Sequence, residues 1–225
     1  METNEFLKKV YGALQEGSLS VTLLDEDGKA RTRWFDAGQL DEMAAYAVEA
    51  GKTYNTYFGV NPRSKGLGEY SRGSREDVSA VIGPFTDFDI KGEAHKEKNL
   101  PETETELMDF LMGLPKTPTI IVKSGNGYHV YWLFRELFYI RSEADRDYAE
   151  RILKGWEHHI KDKALREHGW KFDSVSDLPR MLRAVGTVNH KTSERPLCEV
   201  ASFTEEKYSP LEFEEYASTQ DTKNP

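Results

Sequence analysis

The stretch Phe85-Thr86-Asp87-Phe88-Asp89-Ile90-Lys91 alternates acidic and apolar side chains. A period of two is the mark of a strand, where residues i and i+2 share a face. The spacing sets Asp87 and Asp89 side by side and turns Phe88 and Ile90 to the opposite face, toward a core. Adjacent carboxylates on a partly buried strand repel, and burying either alone is costly. A hard divalent cation removes both difficulties, because magnesium takes oxygen ligands and bridges carboxylates to substrate phosphates. Two solvated acids on a strand edge would give the same pattern, so the surrounding sequence has to choose.

Downstream lies Lys123-Ser124-Gly125-Asn126-Gly127-Tyr128-His129. Thr119–Lys123 and Tyr128–Phe134 read as strands joined by a tight Asn-Gly turn, since Asn and Gly tolerate positive φ. Small turn residues let backbone N–H groups approach an anion. Ser124 and His129 could meet over one phosphate, the hydroxyl and a ring nitrogen each donating. Taken singly, His129 reads as a strand histidine and the glycines as a plain turn. Further on, Asp173 and Asp177 precede Arg180, Arg183, Asn189 and Lys191. An acid beside several cations suits a site for metal and triphosphate, because arginine forks onto phosphate oxygens and lysine acts as a point charge. A solvated basic face fits that segment equally when it is read alone.

The remaining chain supplies a mixed framework. Residues 3–16 read as a helix ended by Gly17. Ser18–Leu24 and Arg31–Phe35 flank Asp27-Gly28 as a hairpin. Leu40, Met43, Ala44, Ala47 and Val48 mark a second helix closed by Gly51, and Thr53–Val60 is β-rich. Helices begin near Thr103 and Ser142. Met181–Val188 and Leu197–Phe203 read as strands, and Pro210–Tyr216 as a last helix. Mixed helices and hairpins imply an α+β fold.

At 225 residues the chain can bury one good core, and its net charge is −9. That balance argues against a surface coated for non-specific nucleic-acid binding, although 63–75 and 180–195 are locally basic. No apolar run approaches a membrane span and no signal peptide is expected. The single cysteine, Cys198, excludes an internal disulfide and paired-cysteine zinc, and a reducing cytoplasmic setting is expected.

Asp87-x-Asp89, then Ser124-Gly-Asn-Gly-x-His129, then Asp173 and the run Arg180-x-Leu-Arg183-x-x-Gly-Thr-x-Asn189-x-Lys191, resembles the catalytic motifs of the archaeo-eukaryotic primase superfamily. More narrowly, it is similar to the compact primase-polymerase domains of plasmid, phage and CRISPR-associated replication proteins. The match spans about residues 55–195. The resemblance implies an RRM-like sheet with flanking helices and an N-terminal αβ module, the active site lying in the cleft between them. It implies one catalytic domain over 1–217: an N-terminal αβ part (1–52), a catalytic core (53–203) and a C-terminal helix (204–217). A flexible tail, 218–225, would link to any further domain.

By the same resemblance, Asp87, Asp89 and Asp173 hold two magnesium or manganese ions, with Asp177, which can also cap the turn before Pro179, as second choice. Ser124, His129, Arg183, Asn189 and Lys191 bind the incoming nucleotide. The implied activity is template-directed primer synthesis and extension from nucleoside triphosphates. The implied partners are single-stranded DNA, dNTP or NTP, and a helicase or other replication protein. A primase also holds an acceptor nucleotide and template, for which Arg63, Lys65, Arg72, Arg75, Lys123 and Arg180 are candidates. Tyr46, Tyr54 and Tyr57 are candidates to sense the ribose 2′-hydroxyl. The sequence departs from its relatives at Ala184-Val185, where an apolar residue and proline often precede Gly186-Thr187. The competing functions are a non-catalytic single-strand or nucleotide binder and a metal-dependent nuclease.

Overall fold

The Asp27-Gly28 signal closes a hairpin. In the computed structural model, which describes residues 1–92, 99–191 and 193–217, β1 (Ser18–Leu24) and β2 (Ala30–Asp36) pair antiparallel across it. Gly28 supplies the positive φ that the turn needs. β3 (Asn55–Gly59) joins the other side of β1, and the late β9 (Met181–Arg183) joins β3, giving the antiparallel order β2-β1-β3-β9. α1 (Thr3–Tyr11) and α2 (Leu40–Ala50) pack on this sheet, where Phe6 meets Phe58 edge-on at 5.6 Å between ring centroids and Met43 is fully buried. The first helix ends at Gly12 rather than at Gly17. Tyr11 closes it by donating its hydroxyl to the carbonyls of Gly59 and Val60, which fastens the turn to β3.

The second sheet is also antiparallel, in the order β10-β6-β7-β5, with β5 spanning Phe85–Asp89, β6 Ile120–Lys123, β7 Gly127–Tyr131 and β10 Glu199–Phe203. Phe88 is buried as its strand parity demands. It meets Phe110 of α3 (Glu104–Met112) and, at 4.8 Å, Phe172 beyond α4 (Glu143–His168). α3 opens on a capping box between Thr103 and Glu106. α4 opens on Ser142 and closes on Gly169 in the left-handed region. Two short strands that the sequence reading missed, β4 (Ala80–Val81) and β8 (Phe138–Tyr139), pair with each other. The last helical segment is a 3-10 turn, Pro210–Phe213, running into α5 (Glu214–Ala217).

This is the expected α+β architecture, with one rearrangement. Both β3 and β9 come from beyond residue 52 yet lie in the N-terminal sheet, so the sheets do not divide where the 1–52 and 53–203 partition would place them. The strand expected over 181–188 also stops at Arg183. Gly186 turns the chain with φ +81, and the following residues pair back with Cys198. Residues 93–98 of the charged loop and the tail 218–225 lie outside the described residues.

Candidate active site

The two sheets face each other across a cleft. β5, the end of β6 and the start of β7 line one wall; β3, β9 and the segment after it line the other. β5 carries Asp87 and Asp89 on its cleft face, both half-buried. In register, Asp87 stands opposite His129 and Asp89 opposite Gly127. Gly127 permits that pairing, because a Cβ there would lie 2.2 Å from the Phe88 carbonyl oxygen.

The 124–127 turn closes with the Ser124 N–H donating to the Gly127 carbonyl at 2.9 Å. Its positive φ falls on Gly125, not on Asn126-Gly127. The reason is packing. A Cβ on Gly125 would lie 2.7 Å from Asn189 Nδ2, so only glycine lets the Asn189 amide dock on the turn. Asn189 is buried, its N–H donates to the Pro196 carbonyl, and its Oδ1 accepts from the Lys191 N–H at 3.1 Å. That pairing sets the backbone of Lys191 at the cleft, while its side chain is exposed.

His129 is buried on β7, with Nε2 at 3.8 Å from Asp87 Oδ1 and Nδ1 without a protein partner. Burial, then the neighbouring Arg183 charge, pushes its pKa down to about 3, so the imidazole is neutral at physiological pH. Arg183 is itself buried. It donates to Asn55 Oδ1 at 2.9 Å and, at 3.4 Å, to the Val188 carbonyl and the Tyr57 hydroxyl. Its guanidinium lies 5.1 Å from the centre of the Tyr57 ring. Asn55 also accepts from the His190 N–H, which ties β3 to the segment after β9. Asn55 escaped the sequence reading because a lone asparagine opening a strand carries no pattern.

Asp87, Asp89, Ser124, His129, Arg183, Asn189 and Lys191 thus share one cleft, with Tyr57 as its aromatic wall. The remaining candidates lie elsewhere. Asp173 is exposed and follows Phe172, which packs on Phe88 behind the carboxylate face of β5. Asp177 pairs with Arg180, and both line a separate groove beside α4. Among the described residues, no cluster of three acidic, histidine or cysteine side chains has metal-binding geometry. Asp87 and Asp89 share the cleft wall formed by β5, and their carboxylate oxygens are the donor type that a hard divalent ion takes alongside phosphate oxygens and water.

Three of the basic candidates are committed to structure. Arg63 is fully buried and donates to the carbonyls of Asn61, Arg72 and Pro179, and burial pushes its pKa down to about 10. It cannot reach a template, because its fork holds two loops together. Arg75 is bound by Glu143, Asp147 and Glu150 of α4, and Lys123 by Glu104 of α3. Lys65 and Arg72 are exposed on their loop, outside the cleft lining. Of the three tyrosines only Tyr57 lines the cleft. Tyr46 packs on Phe35, and with Tyr54 it borders a hollow on the β1–β2 hairpin.

This arrangement of two antiparallel sheets about a cleft has its likeness in fold among solved primase and primase-polymerase structures. Among solved structures the chain is similar to the primase domain of the cyanophage S-2L primase-polymerase, with a TM-score of 0.62 at 15% identity over 96% of each chain. It is similar to primase RepB′, with a TM-score of 0.56 at 13% identity over 98% of this chain and 63% of that one. It is also similar to the RepB′ catalytic domain in complex with initiator DNA, with a TM-score of 0.56 at 12% identity over 98% and 96%. No protein-family model matches the chain, and no curated protein matches it significantly. At these identities the likeness is one of fold. No helix among the described residues is long and apolar enough to cross a membrane.

Proposed function

We propose that this protein is a template-directed primase-polymerase that joins nucleotides by metal-dependent nucleotidyl transfer. The observation that carries the reading is the convergence of two carboxylates, a hydroxyl, a buried neutral histidine and the Arg183–Lys191 segment in one cleft. A strand 3′-oxygen attacks the α-phosphorus of a triphosphate, the bond to the bridging oxygen breaks, and pyrophosphate leaves. Asp87 and Asp89 would hold magnesium or manganese, which when bound neutralises triphosphate charge and favours ionisation of the attacking hydroxyl. Ser124 donates its hydroxyl to a phosphate oxygen. The neutral His129 donates one ring N–H to the same group without adding charge beside the carboxylates. Lys191 acts as a mobile point charge on the outer phosphates. Arg183, held by Asn55 and Tyr57, gives the cleft floor a fixed positive potential. Tyr57 faces the sugar and base.

With single-stranded template, nucleoside triphosphates and manganese or magnesium, labelled products should form with and without a primer. Absence of product under conditions where triphosphate binds would remove the reading. Template degradation without added triphosphate would replace it by a nuclease.

A further inference from the structure

Asn189, His190 and Lys191 are consecutive, yet Asn189 and Lys191 line the cleft while His190 does not. The half-buried His190 carries its ring to the end of α2, where Nε2 lies 2.9 Å from the Gly51 carbonyl oxygen. That oxygen can only accept, so Nε2 carries the proton and donates. We propose that His190 is the positioning residue that sets Asn189 and Lys191 at the triphosphate by fastening their segment to α2; the inference rests on the polymerase reading above.

First, the end of α2 takes a donor from outside. A helix leaves its last carbonyls without intrahelical partners, and its C-terminus carries partial negative charge. α2 ends Ala47-Val48-Glu49-Ala50 with no basic side chain in its last turn, and the nearby Lys52 pairs with Glu49. His190 reaches that end from 139 residues away. Second, the segment before His190 lies hard against both helices. A Cβ on Gly51 would fall 2.6 Å from Thr187 Cβ, and one on Gly186 would fall 2.1 Å from Thr3 Oγ1. Glycine at both points admits the chain. Thr3, at the start of α1, donates its hydroxyl to the Val185 carbonyl at 2.9 Å.

Third, neighbouring residues attach to opposite walls of the cleft. Asn189 docks on the Gly125 turn between β6 and β7 of the second sheet. His190 docks on the first-sheet side twice, through its ring to Gly51 and through its N–H to Asn55 Oδ1 at 3.0 Å. The same Asn55 oxygen accepts from Arg183. The Lys191 N–H then closes on Asn189 Oδ1. One peptide bond therefore joins the two walls where the phosphate-binding side chains begin. Lys191 has a flexible side chain, so the position of its backbone decides where its charge can reach. A backbone fixed before the ligand arrives loses less entropy when the triphosphate binds.

Calorimetric titration of the full chain with a nucleoside triphosphate and magnesium tests this in His190→Ala, His190→Met and His190→Gln. Alanine and methionine remove the donor, methionine without opening a cavity, and glutamine keeps a side-chain N–H at about the same reach. Circular dichroism and urea unfolding check each fold. The alanine and methionine variants should bind triphosphate about tenfold more weakly, the fold-change that one hydrogen bond can carry. His190→Gln should recover most of that loss. Added to Lys191→Ala, His190→Met should cost clearly less than it does alone, because a positioning residue acts through the side chain it places. Unchanged triphosphate affinity in folded His190→Met, a glutamine variant as weak as methionine, or full additivity with Lys191→Ala would overturn the proposal. Wild type that binds no triphosphate would remove the polymerase reading and this proposal together, whereas failure of the proposal alone leaves wild-type binding intact.

Discussion

At the scale of single residues, the informative positions are those where a side chain's freedom has been removed. Asp87 and Asp89 were legible because strand parity fixes their common face without any tertiary knowledge. His129, Asn189 and Lys191 were legible as motif members, but what holds them was not: the glycine at 125 with φ +115 is there to admit Asn189. Gly125→Ala should therefore lower stability by about 1–3 kcal/mol through strain and the lost Asn189 contact. It should also weaken triphosphate binding, as read by urea unfolding and calorimetric titration. Arg63 was misread from sequence as a template contact, because a basic loop does not reveal that one of its arginines turns inward to carbonyls. Arg63→Ala leaves those carbonyls unpaired in the interior and should cost about 3 kcal/mol or more. Cys198 gives a simpler check. It is fully buried, and desolvation pushes its thiol pKa up to about 12. A thiol reagent at pH 8 should leave it unmodified in the native protein and label it fully after denaturation.

At the scale of elements, periodicity found most helices and strands because their apolar stripes and caps are local. The two-residue strands β4 and β8 were invisible, being too short to show a period and paired across more than fifty residues of chain. The 173–180 segment was legible as irregular, yet its position was not. Burial of Phe172 against Phe88 and the grip of Glu157 decide it, and both are long-range. Those contacts carry Asp173 away from the carboxylate face of β5. Glu157→Ala would strip the partner from two buried N–H groups and a hydroxyl. It should destabilise the protein by about 2–4 kcal/mol in denaturant titration, with the change concentrated in hydrogen-exchange protection of 174–180.

At the scale of the whole molecule, the sequence order of elements conceals how the halves are joined. β3 and β9 complete the N-terminal sheet, and the core cluster runs continuously from Phe6 through Phe58 and Tyr131 to Trp132 and Trp156. A fragment beginning at residue 53 should therefore fail to fold, since β3 would lose β1 and its apolar face would lose α1 and α2. A native-like near-ultraviolet spectrum from that fragment would contradict this. The cleft exists only when both sheets are assembled, which is why motifs far apart in sequence become one candidate site. The most direct measurement is template-directed synthesis by wild type and by Asp87→Asn/Asp89→Asn under identical metal and nucleotide conditions. The wild type should extend and initiate strands, and the folded double variant should make none. Synthesis at wild-type level by that variant would contradict the assignment of the cleft.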